Sequence, residues 1–148
     1  MFPVVWRDDK GQQVSGLSAF AHPFISIEVS GPDLRRWQRV EAMIDTGLSR
    51  TSINREILAA AGCVESGKVR LSGSAGWQDF ATYQIDLRFP QFRDGVIEVH
   101  GAEVIHPLEA GGGLVGMDVL ALGRLFLDPA GAQGYFELPL PTSNRPDR

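Results

Sequence analysis

Ala42-Met43-Ile44-Asp45-Thr46-Gly47 is an apolar run that ends in a carboxylate, followed at once by threonine and glycine. Read outward from it, Val40, Ala42 and Ile44 fall on one side of an extended chain, the pattern of a half-buried strand over about Trp37 to Ile44. His22 to Ser30 alternates in the same way, with Ile25, Ile27 and Val29 on one face and Phe24, Ser26 and Glu28 on the other. Between the two runs, Ser30-Gly31-Pro32-Asp33 has turn chemistry: glycine tolerates positive φ and proline presets φ near −65°. The two runs are therefore expected to pair as a hairpin that delivers Asp45 at its end. Taken alone, such an aspartate reads as an Asx turn or a cap for nearby amides.

The rest of the chain is also mainly strand. Asn54 is placed to cap a short helix whose apolar stripe is Ile57, Leu58 and Ala61, with Gly62 where a C′ glycine belongs. Strands are expected at Lys68–Ser72, Phe80–Phe89, Val96–His100 and Glu103–Ile105. Gly73-Ser74-Ala75-Gly76-Trp77-Gln78 forms a glycine-rich hairpin tip between the first two. A second helix, Met117 to Leu122, closes at Gly123, and Leu125–Asp128 with Tyr135–Leu138 make a final hairpin. Residues 1–20 form a mixed N-terminal segment, with a short strand at Val4-Val5-Trp6 and a loop from Gly11 to Ser18. Residues 21–140 are the body, and 141–148 a polar, proline-broken tail. Short strands punctuated by Gly and Pro turns predict an all-β, barrel-like fold with one or two short helices.

With 148 residues the chain is expected to be one domain, long enough to bury roughly 68–70% of its unfolded surface. The single cysteine, Cys63, excludes an intramolecular disulfide scaffold. A net charge of −4 argues against a nucleic-acid footprint, and the cluster Arg35, Arg36 and Arg39 reads as a solvated turn. Nothing approaches the ~18 consecutive apolar residues of a membrane span, and the N-terminus lacks the pattern of a signal peptide. A cytoplasmic protein without membrane or nucleic-acid partners is expected.

Leu114-Val115-Gly116-Met117-Asp118-Val119-Leu120 places two apolar residues and a glycine directly before a helix. Together with Asp45-Thr46-Gly47, this segment resembles the retropepsin-like aspartic proteases, the single-domain relatives of the retroviral proteases. The resemblance runs from about Phe24 to Leu138. It implies that Asp45 is the catalytic aspartate and that Thr46 and Gly47 support its loop. Leu114, Val115 and Gly116 would pack behind that loop in a ψ-shaped arrangement. Gly73, Ser74, Ala75, Gly76 and Trp77 would form a flap over an extended peptide substrate. Trp77 reads equally as a cover for the peptide and as a cross-strand packing partner.

The chemistry can be stated without the family. Hydrolysis of a peptide needs an activated water and a polarised carbonyl, and two neighbouring carboxylates that share one proton supply both. Only one Asp-Thr-Gly is present, and Asp118 does not recreate its context, so the implied solution is a homodimer with one Asp45 from each protomer. Leu48 departs from the small residue usual after the glycine. It would narrow the cleft, shift specificity, mark a domain that has lost proteolysis, or simply pack away from the cleft. The alternative function is thus a non-catalytic peptide-binding or dimerisation module of the same fold. A third is an unrelated β-domain in which Asp-Thr-Gly is only a turn.

Other patterns point nowhere specific. Gly111-Gly112-Gly113-Leu114-Val115-Gly116 satisfies G-x-G-x-x-G but lacks the βαβ unit of a dinucleotide site, and reads as a flexible lead-in to the second motif. Ser72-Gly73-Ser74-Ala75-Gly76 misses the first glycine and the helix of a nucleophile elbow. His22, His100 and His106 have no metal-ligand spacing, and Cys63 reads as a small buried hydrophobe. Glu98 and Glu103, alternating strand residues, are expected to face solvent. No metal and no cofactor are expected.

Overall fold

The computed structural model describes residues 1–15, 21–73, 76–104 and 112–139. Its strands are β1 (Phe2–Arg7), β2 (His22–Ser30), β3 (Gln38–Ile44), β4 (Ser52–Asn54), β5 (Val64–Gly73), β6 (Gly76–Phe89), β7 (Phe92–Val104), β8 (Gly113–Val115), β9 (Arg124–Asp128) and β10 (Gln133–Glu137). Two helices interrupt them, α1 (Arg55–Ala61) after β4 and α2 (Met117–Leu120) after β8. The molecule is mostly β. The expected tail, 141–148, lies outside the described residues.

The strands follow the order β5-β6-β7-β4-β8-β3-β2-β1-β10-β9, and β6 also pairs with β2. That extra pairing closes β6, β7, β4, β8, β3 and β2 into a ring. Two pairings in the ring are parallel, β3 with β8 and β4 with β7. The core fills it from the alternating residues: Ile25, Ile27 and Val29 of β2, Val40, Ala42 and Ile44 of β3, and Ile85, Leu87 and Phe89 of β6 are all buried. The β2–β3 hairpin forms as the alternation implies, with Ile25 opposite Ala42 and Ile27 opposite Val40. Phe24, expected on the polar face, is buried as well.

α1 is closed at both ends by the residues that its sequence sets aside for the purpose. The Asn54 side chain accepts from the Glu56 N–H, and Gly62 takes the left-handed conformation at φ 74°. Leu58 and Ala61 turn into the core, and Ile57 packs at its margin. Outside the ring, β1 bridges β2 and β10. Phe2 stacks on Phe89 with ring centroids 4.2 Å apart, and Phe136 of β10 packs against both.

Several elements differ from the expectation, and β4 and β8 are strands that it did not include. The strands expected at Val96–His100 and Glu103–Ile105 are one continuous strand, β7, as far as Val104; Ile105 lies outside the described residues. Gly101 does not break it, because glycine is needed there for closeness: a Cβ would stand 2.6 Å from the Thr51 carbonyl oxygen. β5 is longer than expected at both ends and β6 at its start, and β5 carries a bulge between Glu65 and Gly67. α2 ends at Leu120, two residues early. The exposed cluster Arg35, Arg36 and Arg39 forms only surface pairs, Arg36 with Asp33 and Arg39 with Glu41, and such pairs contribute little. No described helix is long and apolar enough to cross a membrane.

Because Phe136 is completely buried where β1, β6 and β10 meet, Phe136→Ala should lower stability by about 3–5 kcal/mol. Urea unfolding read by circular dichroism measures it, and a loss below about 1 kcal/mol would show that the three strands do not share one core.

Candidate active site

Asp45 follows the last residue of β3, and its position is set by backbone before any side chain acts. Its N–H donates to the Val115 carbonyl at 3.0 Å, which extends the β3–β8 ladder by one step beyond Ile44 opposite Val115. One carboxylate oxygen of Asp45 accepts the Gly47 N–H at 3.0 Å, and the Asp45 carbonyl accepts the Leu48 N–H at 3.3 Å. The Asx turn that the sequence suggests is therefore present. It leaves the carboxylate half-buried and Thr46 and Gly47 exposed. Leu48 is half-buried in the same loop.

β8 is wedged between β3, which runs parallel to it, and β4, which runs antiparallel. Residues 45–51 must pass around the C-terminal end of β8 to connect the two. That passage is tied to the segment after β8 at Leu48, Ser49 and Thr51. The Met117 N–H donates to the Leu48 carbonyl at 2.7 Å and the Asp118 N–H to the Ser49 carbonyl at 3.2 Å. The Gly116 N–H donates to Thr51 Oγ1 at 3.2 Å. Gly116 has no room for a side chain, since a Cβ would stand 2.7 Å from the Leu48 carbonyl oxygen and 3.0 Å from the Arg50 carbonyl carbon. Leu114, Val115 and Gly116 thus lie directly behind the Asp45 loop.

Thr51 and Asp118 are partners that no local sequence pattern marks. Thr51 is fully buried, and its hydroxyl donates to Asp118 Oδ1 at 2.7 Å while accepting from Gly116. The Thr51 N–H completes the clamp on the Asp118 carboxylate at 2.9 and 3.0 Å. Asp118 therefore holds the loop, its carboxylate engaged by Thr51. The two residues are 67 positions apart. Arg50 adds a further tie, donating to the His100 carbonyl of β7 at 3.0 Å.

The remaining motif residues are placed as follows. Gly73 and Gly76 face each other at the end of the β5–β6 hairpin; Ser74 and Ala75 lie outside the described residues. Trp77 is 69% exposed, so its ring is not a packed cross-strand partner. Gly112 and Gly113 are no flexible lead-in. Gly112 exchanges backbone hydrogen bonds with Glu41 and Asn54, and a Cβ on Gly113 would meet the Ser52 carbonyl oxygen at 2.8 Å. Gly111 and His106 lie outside the described residues. Among the described residues no three His, Cys, Asp or Glu side chains converge as metal ligands do. Cys63 is half-buried, and burial, aided by the carboxylates of Asp86 and Asp33, pushes its thiol up to about 11, so it stays protonated at neutral pH. Glu98 is exposed as expected, but Glu103 is not: it is 7% exposed and bound to Arg55 at 2.8 Å.

No family model matches the chain, and no curated protein matches it. Among solved structures the chain is similar to a retropepsin-like aspartic protease from Rickettsia conorii, at 15% identity and a TM-score of 0.49, over 86% of this chain and 84% of that one.

The clamp can be tested by itself. Thr51→Val keeps the shape but leaves the buried Gly116 N–H without its acceptor and removes the hydroxyl donor to Asp118 Oδ1, and should cost about 1–3 kcal/mol of stability. Thr51→Ser, which retains the hydroxyl, should recover most of it in the same thermal or urea titration.

Proposed function

We propose that the chain is an aspartic endopeptidase that acts as a homodimer. The observation that carries this reading is the position of Asp45: a carboxylate on a loop whose backbone is fastened to the second motif by the hydrogen bonds of Val115, Gly116, Met117 and Asp118. A general acid or base gains from being held in place by hydrogen bonds that do not reorganise during reaction. The exposed Thr46 and Gly47 leave the solvent side of the loop open to a second copy and to an extended peptide.

In the dimer two Asp45 carboxylates, one from each protomer, face each other across a two-fold axis and share one proton, because like charges at that separation do not both ionise. The ionised carboxylate removes a proton from a water between them as its oxygen attacks the peptide carbonyl carbon. The protonated partner donates its proton to the carbonyl oxygen, which gives a neutral tetrahedral diol. Collapse breaks the C–N bond: one hydroxyl proton returns to a carboxylate, the other carboxylate protonates the departing amine, and the dyad again holds one proton. The substrate lies extended, adding its backbone to the strands that flank the cleft, with the β5–β6 hairpin above it. Thr46 ties the two loops together across the axis, and Gly47 lets the peptide backbone approach. No metal or cofactor takes part in these steps.

Leu48 favours a second reading, a non-catalytic peptide-binding or dimerisation module, because a leucine directly after the glycine adds bulk beside the dyad. The two readings part in one experiment. A diverse peptide library is incubated with the parent and with Asp45→Asn from about pH 3 to pH 8. The protease reading expects cleavage by the parent alone, unaffected by chelators, with a bell-shaped rate set by the dyad's two apparent pKa values. Loss of at least about 10³-fold is expected in the variant. Binding without hydrolysis in both would support the module, and equal cleavage by both would remove Asp45 from the mechanism.

A further inference from the structure

The β5–β6 hairpin changes character along its length. Among the described residues, β6 pairs with β7 only from Thr82 onward, opposite Ala102, and with β2 only at Asp86–Arg88. From Gly76 to Ala81, β6 pairs with β5 alone. Lys68–Gly73 and Gly76–Ala81 are thus a two-stranded arm, with Lys68, Arg70, Gln78 and Asp79 exposed. Two strands by themselves are marginally stable in water, so the direction of the arm depends on what grips its root.

The root is gripped at one point. Glu103, near the end of β7, is 7% exposed and accepts from four donors or near-donors on two other elements. Arg55, the first residue of α1, reaches its two carboxylate oxygens with Nε at 2.8 Å and Nη2 at 3.2 Å. The Ala81 N–H, the innermost amide of the arm, donates to Oε1 at 3.4 Å, and the Tyr83 hydroxyl to Oε2 at 3.5 Å. At the same level β5 carries its bulge: Glu65 is opposite Tyr83, Gly67 is opposite Thr82, and the looped-out Ser66 reaches the Thr82 hydroxyl at 3.2 Å. A bulge is where a strand bends most easily. Anchor and hinge therefore occupy one rung of the sheet.

We propose that Glu103 is a positioning residue, whose carboxylate sets the angle of the β5–β6 arm by tying Ala81 to Arg55 across the hinge at Ser66. This rests on the reading of the hairpin as the cover of the Asp45 site, while the anchor itself is defined by the contacts alone. The titratable groups that act on Glu103 are Arg55 from α1 and Tyr83 from β6, each of which also feels Glu65 of β5; Ser52, Ile53 and Asn54 of the adjacent β4 bring no charge. The hydrogen bond from Arg55 is the largest influence and holds the Glu103 carboxyl below the usual glutamate range. A depressed value means that the anchor is present above the ordinary glutamate pKa of about 4.3 and is lost as pH falls through the depressed one.

The test is amide hydrogen exchange on the full chain, with rates normalised for intrinsic pH dependence. In Glu103→Gln at pH 7, the amides of Trp77–Ala81 and Lys68–Ser72 should exchange about tenfold faster than in the parent, while those of β2 and β3 keep their protection. The parent should show the same loosening on acidification and the variant none. Equal protection of the arm in both at pH 7 overturns the proposal. Should Glu103→Gln loosen the core as well, Arg55→Gln decides, because Arg55 lies at the surface: an arm unchanged there also overturns it. With a cleaved peptide in hand, Glu103→Gln should raise KM about tenfold and leave kcat within about twofold; a fall in kcat at constant KM speaks against positioning through the arm. A loosened arm in a protein that cleaves nothing keeps the anchor and removes the protease reading.

Discussion

β8 is three residues long, yet it hydrogen-bonds to β3 on one side and to β4 on the other, so the chain joining β3 to β4 has no route except around its end. That constraint governs the site. The loop 45–51 cannot lie flat on the surface, because its carbonyls at Leu48 and Ser49 are taken by the amides of Met117 and Asp118. Its far end cannot shift, because Thr51 is buried and held by Gly116, the Asp118 carboxylate and the Ala102 N–H. Buried polar groups with all their partners in place are rigid, and the loop that carries Asp45 inherits that rigidity.

The glycines take their meaning from the same crowding. Gly113 and Gly116 stand where backbone meets backbone, and Gly101 does the same on the far side of the loop, against the Thr51 carbonyl. All three are positions at which a methyl group would force main chains apart. None is there for flexibility, which is what the run of glycines before Leu114 suggests when read along the sequence. Gly62, with its positive φ at the end of α1, is instead used for conformation, as are Gly11 and Gly76.

The hairpin beyond Thr82 obeys different rules. The ring is closed by main-chain ladders and a filled core, so its parts cannot move independently. The arm has one ladder and mostly exposed side chains, so a single buried carboxylate at its root counts for more than it would elsewhere. An ion pair between a 60% exposed arginine and a 7% exposed glutamate does little for global stability, but it can choose among directions that differ by small energies.

Much of this was legible in the residues. Alternation placed β2 and β3 and their shared inner face, and the Asn54 and Gly62 caps bounded α1, because these signals act within a few residues of chain. The apolar run before Asp45 announced a strand end, whereas the strand before Gly116 went unannounced. What the chain could not announce was anything that depends on distant segments meeting. The clamp between Thr51 and Asp118 spans 67 positions, and the anchor from Arg55 to Glu103 spans 48. Glu103 itself reads as a solvent-facing strand residue until α1 and β6 are brought over it. Local sequence determined which segments are strand or helix and which of their faces are apolar, because hydrophobic periodicity and capping are local physics. Only the tertiary structure decided which buried polar groups find partners, because that is settled by where the closed ring of strands brings remote backbone together.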